Sequence, residues 1–199
     1  MNNNNFYLPS NRSDVETFNV MQLLSEANKL QEKGRKIYHL ELGEPQSMTP
    51  ELVKKEIQKL IKSNLPGYTP SNGIEELRIK ISGYYKLKYN LDIDHNQIFI
   101  TTGSSGAFLL TFLTCFNVGD KVAIFNPVYP AYRNILKSLN INVVEIPSEK
   151  NNLGYIDVKK IEDYSEVDGL IISNPNNPNG QVFEGEELKY LYDFCEKNK

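Results

Sequence analysis

Three short segments carry side chains suited to holding a flat, anionic ligand. The first is Thr101-Thr102-Gly103-Ser104-Ser105-Gly106-Ala107. It joins an expected strand to an expected helix, so its backbone N–H groups stand at a helix N-terminus, where the dipole favours an anion. The glycines remove bulk and the two serines offer hydroxyl donors to phosphate oxygens, although the same composition also makes a plain tight turn. The second segment is Asn126-Pro127-Val128-Tyr129-Pro130-Ala131-Tyr132. In an open parallel sheet, ligands sit at the carboxyl ends of the strands, which puts this loop near the first. Tyr129 offers a ring that stacks on an electron-poor aromatic, or packs at a domain edge. The third is Ser173-Asn174-Pro175-Asn176-Asn177-Pro178-Asn179-Gly180. Its amides suit a phenolate or carboxylate and an Asn-Pro bond there can be cis, but Asn, Pro and Gly also make ordinary turns.

The elements that position these segments follow from hydrophobic spacing. Val20, Leu23, Leu24, Ala27 and Leu30 recur at helical intervals and stop near Gly34, a C-cap candidate. An apolar stretch at 37–42 runs into Gly43-Glu44-Pro45. Thr49 is placed to cap a helix with Pro50 at its first position, carrying Leu52, Val53, Ile57, Leu60 and Ile61 on one face. Residues 65–73 are rich in turn formers and read as a loop. A longer helix then has Ile74, Leu77, Ile81, Tyr84 and Tyr85 in register. Strands are expected at 97–102, 121–125, 142–146 and 169–173. Between them lie an almost wholly apolar helix at 107–116, of the kind usually buried, and a helix around 132–139. A last helix sets Leu188, Leu191, Tyr192 and Cys195 on one stripe. Apolar strands alternating with helices imply crossover units and a mainly parallel α/β sheet. There is no internal repeat, and a polar run at 196–199 stands where the alternation calls for a further strand.

Bulk properties narrow the classes. The chain has 199 residues, a formal net charge of −3 and 40% hydrophobic residues, enough for a sizeable core. Its cations are interspersed with acids, which argues against a nucleic-acid surface. No apolar run approaches membrane-spanning length and the N-terminus lacks a signal-peptide pattern, so the chain reads as soluble and cytoplasmic. Cys115 and Cys195, each in an expected helix, do not form a disulfide framework and fit a reducing compartment. His39 and His95 lie far from each other and from the cysteines, so no metal-ligand spacing can be drawn. The Asn2–Asn5 tail is expected to be disordered.

Taken in order, the three loops make the chain resemble the class I/II aminotransferases, fold-type I enzymes that depend on pyridoxal 5'-phosphate. The resemblance runs from about Ile37 onward and also includes Leu42-Gly43-Glu44-Pro45 and Tyr68-Thr69-Pro70-Ser71-Asn72-Gly73 with Leu77-Arg78. It implies a three-layer fold with helices on both faces of a mainly parallel sheet. Residues 1–45 would form an N-terminal arm and part of a small domain, and residues 46–199 a large cofactor-binding domain without its later strands. Position by position, Ser104, Ser105 and Gly106 match the cofactor-phosphate cradle, and Tyr129 the aromatic stacked on the pyridine ring. Asn177 matches the asparagine that contacts the ring oxygen and helps anchor the substrate carboxylate, and Gly43 lines the substrate pocket. Tyr68 matches the tyrosine reaching the phosphate held by a neighbouring subunit, which implies a homodimer with shared sites. Asn179 replaces the threonine or other small residue common at that position, a change the turn should tolerate.

One departure matters for the chemistry. The family's cofactor-bonding lysine lies in a Ser-x-x-Lys-like segment, and no such segment occurs in this chain. The aspartate for the ring nitrogen, the tyrosine for the ring oxygen and the carboxylate-gripping arginine of the family also come later than the last helix. The resemblance therefore implies an aminotransferase acting on an amino acid and a 2-oxo acid, with no catalytic residue in these 199 residues, which alone would be inactive. A carbon–sulfur lyase on the same scaffold and a silent fragment or pseudoenzyme remain open alternatives. A generic nucleotide-phosphate domain is less favoured, because the glycine turn lacks nucleotide fingerprint spacing.

Overall fold

A computed structural model describes residues 8–43, 45, 47–63, 67–148 and 154–198. The 2–5 tail, Glu44, and Leu65 and Pro66 of the expected 65–73 loop lie outside the described residues. The chain divides into two compact units, one formed by residues 18–103 and the other by residues 1–17 with 104–199.

The first unit contains α1 (Asn19–Glu32), α2 (Glu51–Lys62) and α3 (Glu75–Tyr89), then a short 3-10 turn at His95–Gln97. As expected, α1 ends next to Gly34, but its C-cap is Lys33, with Gly34 following at φ +82°. The start of α2 does not. Pro50 is itself the N-cap with extended ψ, and no side chain caps the helix, so Thr49 has no capping role. Its apolar face is where the spacing put it, but Leu52, Val53, Ile57, Leu60 and Ile61 are all exposed. The expected strand at 97–102 is also absent. Ile100 N–H donates to Asn72 O at 3.1 Å, but no ladder forms around it, and a strand exists only when a partner supplies one. Arg78 organises this part of the chain from a buried position. Its Nε donates to Gly73 O at 3.2 Å and its Nη1 to His95 O at 2.8 Å, tying the turn before α3 to the turn after it.

The second unit is built on three parallel strands, β1 (Lys121–Phe125), β2 (Asn142–Ile146) and β3 (Gly169–Ile171), in the order β2-β1-β3. Alternation along β1 explains the layers, since successive side chains leave a strand on opposite faces. Val122 and Ile124 pack with Phe112 of α4 (Gly103–Cys115) and with Tyr132 and Leu136 of α5 (Pro130–Ser138). Ala123 and Phe125 pack on the other face with Ile146, with Val158 and Ile161 of a 3-10 helix (Val158–Tyr164), and with Leu191 of α6 (Gly185–Lys197). The result is a three-layer α/β arrangement, with β1 buried on both sides.

Two helices depart from their expected burial. In α4 only Phe112 is buried, with Phe108 and Phe116 packed beside it, while Leu109, Leu110 and Leu113 are exposed. A helix apolar on every face shows one face to this core and leaves the other uncovered here. In α6 the packing stripe is Leu188, Leu191 and Phe194; Tyr192 and Cys195 are exposed. The expected stripe was therefore rotated about the helix axis. Cys115 is exposed as well, and neither cysteine is in a disulfide. Among the described residues no helix is long and apolar enough to cross a membrane.

Candidate functional site

Strand direction brings the candidate loops to one end of the sheet. β1 and β3 are parallel neighbours in the register Val122↔Gly169 to Ile124↔Ile171, so the segments that leave them start side by side. The Asn126–Tyr129 stretch is anchored at its start by Asn126 N–H, which donates to Ile146 O at 2.9 Å. The two loops are then joined directly. Asn176 Nδ2 donates to Pro127 O at 3.0 Å. The Asn126-Pro127, Asn174-Pro175 and Asn177-Pro178 peptide bonds are all cis, as an Asn-Pro-rich segment allows.

The helix α4 reaches the same end by running against the strands. Its last turn lies at the amino end of β3: a Cβ built on Gly169 would fall 2.4 Å from Cε1 of Phe116, so the ring occupies space that only a glycine leaves open. Its first turns lie by the Tyr129 loop. The Phe108 ring meets Tyr132 edge-on with centroids 4.8 Å apart, and Tyr132 meets Tyr129 in the same manner at 5.6 Å. Gly103 enters the helix at φ +75°, a conformation that glycine adopts without steric cost. Ser104 and Ser105 are exposed and Gly106 is partly buried in the first turn, which contains no acidic residue. The N–H groups of a first turn have no acceptor within the helix, so this positive end is free of a competing carboxylate.

Of the residues singled out from sequence, Ser104, Ser105, Gly106, Tyr129 and Asn177 thus belong to segments gathered at the carboxyl end of β1 and β3. Tyr129 is half-buried and Asn177 exposed. Gly43 and Tyr68 belong to the 18–103 unit. Gly43 has open space where a side chain would be, and Tyr68 is fully exposed. Two clefts of the described surface hold none of these residues: one is lined by Glu162, Tyr190 and Phe194 and the other by Lys121 and Glu166. Their walls mix charged, aromatic and aliphatic side chains and include none of the residues at the loop end of the sheet.

A family model described as aminotransferase class I and II matches residues 35–199. The chain belongs to the class I and II aminotransferase family. It is similar to a valine–pyruvate aminotransferase from Mycobacterium tuberculosis, with 35% identity over 93% of this chain and 48% of that protein. It is also similar to a (5-formylfuran-3-yl)methyl phosphate transaminase from Methanocaldococcus jannaschii, with 37% identity over 90% of this chain and 47% of that one. The crystal structure of an aminotransferase from Mycobacterium tuberculosis superposes with a TM-score of 0.89 at 34% identity, covering 97% of this chain and 50% of its own. The chain spans about half the length of the curated relatives it matches.

Within this aminotransferase family chain, sequence reasoning missed a polar network beneath the Tyr129 loop. Arg133 of α5 places Nε 2.5 Å from Glu145 Oε1 of β2, an ion pair whose geometry is not that of a hydrogen bond. Its Nη2 donates to Asn126 Oδ1 at 3.2 Å, and Asn126 Nδ2 in turn donates to Glu145. From the N-terminal stretch, Glu16 accepts from Lys137 Nζ at 3.0 Å and Arg133 Nη1 at 3.4 Å. Lys137 first, and then Arg133, hold the Glu16 carboxyl below the usual carboxylate range. No sequence signal marks these residues, since Glu16 and Arg133 are 117 positions apart.

Proposed function

We propose that the protein transfers an amino group between an amino acid and a 2-oxo acid, with pyridoxal 5'-phosphate as cofactor. The observation that carries this reading is the Asn176–Pro127 bond. It joins the loops that follow β1 and β3 at the sheet end where α4 begins. The residues suit such a group: two exposed hydroxyls at a helix N-terminus free of acids, a half-buried tyrosine next in line, and an exposed amide on the adjacent loop.

In this reading Ser104 and Ser105, with the N–H groups through Gly106, hold the phosphate. The partial positive charge of the α4 terminus supplements their hydrogen bonds. Tyr129 lies against one face of the ring, its orientation set by the edge contact with Tyr132. Asn177 donates its amide to the ring oxygen and steadies the substrate carboxylate, and the backbone at Gly43 lines the substrate pocket. Tyr68 serves the site of a second copy, so the working form is a homodimer in the cytoplasm. Residues 1–45 act as an arm and part of a small domain, and residues 46–199 as the large domain. Once bound, pyridoxal 5'-phosphate supplies the carbonyl carbon and electron-accepting ring that amino-group exchange requires. None of residues 1–199 matches the family's lysine, so in this reading the 199-residue chain holds cofactor and does not turn over.

The test uses pyridoxine 5'-phosphate, which has the ring and phosphate but no aldehyde to react with surface lysines. Titrated into the chain and followed by calorimetry, it should bind saturably at one site. Tyr129→Ala should weaken binding by about tenfold, from loss of ring contact worth about 1 kcal/mol or more. Ser105→Asp should abolish it, because an acid at the helix terminus repels the phosphate while favouring the helix itself. Absence of saturable binding, or equal binding by all three proteins, would refute the assignment.

A further inference from the structure

The turn that bears Asn177 is wired to its surroundings by the residues on either side of it. Asn176 is 5% exposed, and both of its amide hydrogens have acceptors: Pro127 O at 3.0 Å and Asn179 Oδ1 at 2.7 Å. The carbonyl of Pro127 can only accept, so the amide orientation of Asn176 is chemically fixed. Asn179 continues the relay. Its oxygen also accepts from Gln181 N–H at 3.1 Å and its Nδ2 donates to Gly154 O at 2.9 Å. A Cβ added at Gly154 would lie 3.5 Å from the ring of Pro127, in ordinary van der Waals contact. The backbone of Asn176 is engaged as well: its N–H donates to Gln181 O at 2.7 Å and its O accepts from Gly180 N–H at 2.8 Å. The hydrogen bonds run from the Tyr129 loop through Asn176 and Asn179 to Gly154.

We infer that Asn176 and Asn179 form an amide relay that positions the Asn177 turn against the Tyr129 loop, so that the two loops hold one geometry together. Asn179 is then a working replacement. An amide presents acceptor and donor on separate atoms, which one hydroxyl does not, and both atoms are used. The two are positioning residues: their amides are engaged with each other and with backbone carbonyls, and Asn177 between them is exposed. Their effect on a bound ring rests on the functional reading above, but the coupling between loops does not.

Hydrogen exchange on the full chain tests the coupling without any ligand. Asn126 and Tyr132 have bonded amides on either side of the Tyr129 loop. In Asn176→Ala and in Asn179→Ala these two amides should exchange at least about fivefold faster, while those of β1 keep their wild-type rates. Asn179→Asp retains an oxygen for Asn176 and Gln181 but loses the donor to Gly154, and should restore slow exchange at both in part. A variant that merely loses stability would accelerate every amide by a common factor, so uniform acceleration overturns the inference, as does acceleration confined to 174–181. If Asn176→Ala does not fold, the Asn179 pair decides alone. With pyridoxine 5'-phosphate as probe, Asn176→Ala and Asn179→Ala should each bind about tenfold more weakly, and the double variant no worse than either. Additive losses would also overturn the relay. If the wild-type chain does not bind the probe, the cofactor reading fails, and the exchange rates still decide this inference.

Discussion

Leu136→Ala and Leu113→Ala remove the same three carbons from opposite environments. Leu136 is fully buried in α5, facing Val122 and Ile124 of the central strand. Three buried carbons at about 0.8 kcal/mol each come to roughly 2.4 kcal/mol, and the cavity left behind raises the cost to about 3–4 kcal/mol. Leu113 on α4 is 58% exposed, so less than half of its side chain leaves water on folding, and the loss should be roughly 1 kcal/mol. Urea unfolding of the two variants and the parent, followed by far-ultraviolet circular dichroism at several protein concentrations, gives the comparison. The Leu136 variant should shift the midpoint by about three times as much as the Leu113 variant, with m unchanged. Equal costs would refute the reasoning, because they would mean the outer face of α4 is covered in solution. A Leu113 cost that grows with protein concentration would identify self-association as the cover.

Gly169→Ala should destabilise by about 1–3 kcal/mol, since its Cβ would collide with the Phe116 ring, and Phe116→Leu should recover part of that in a double-variant melt. Tyr190 donates to Glu162, which raises its pKa to about 12, with desolvation adding to the shift. Because the folded value lies above the ordinary tyrosine value, the contact contributes stability below about pH 10 and loses it as pH rises through about 12. An ultraviolet phenolate titration should therefore show one late-ionising tyrosine, absent in Tyr190→Phe; a single wave common to both proteins would contradict this. Glu187 accepts from Glu184 N–H at 2.8 Å in a capping box, and Glu187→Ala should cost about 1 kcal/mol by thermal melting, with no change counting against the cap. Glu16 titrates below the usual carboxylate range, so its hold on Lys137 and Arg133 is full above about pH 4.5 and is lost as pH falls through the depressed value. Hydrogen exchange in 8–17 should rise over that acidic interval, and a Glu16→Gln variant should exchange quickly at neutral pH.

What was legible in the sequence was local. Strands at 121–125 and 142–146 stand out because β-branched runs are bracketed by Gly, Asp and Asn turns, and both occur with those bounds. The loops rich in Gly, Asn and Pro were equally visible, and parallel alternation put them at one sheet end. What was not legible depended on partners. Residues 97–102 have strand composition, but a ladder requires a neighbouring chain segment, and the bond from Ile100 N–H to Asn72 O is a single one without a ladder around it. The burial of α4 was misjudged because composition reports what a helix can bury and not how many faces are covered. The phase of α6 was off because Tyr192 and Cys195 are apolar enough to join a stripe on paper, while Phe194 packs instead. Among four asparagines in one loop, nothing in residue type distinguishes the buried Asn176 from the exposed Asn177; only the acceptor at Pro127 does.

The middle position of β1 has a consequence for biosynthesis. The strand that ends up deepest is the first of the three to leave the ribosome, and its two neighbours follow only after residues 142–146 and 169–171 have been made. Until then Val122 to Phe125 is a bare adhesive segment with both flanks open to other nascent chains. Lys121 before it and Asn126-Pro127 after it are the kinds of residue that interrupt cross-chain stacking.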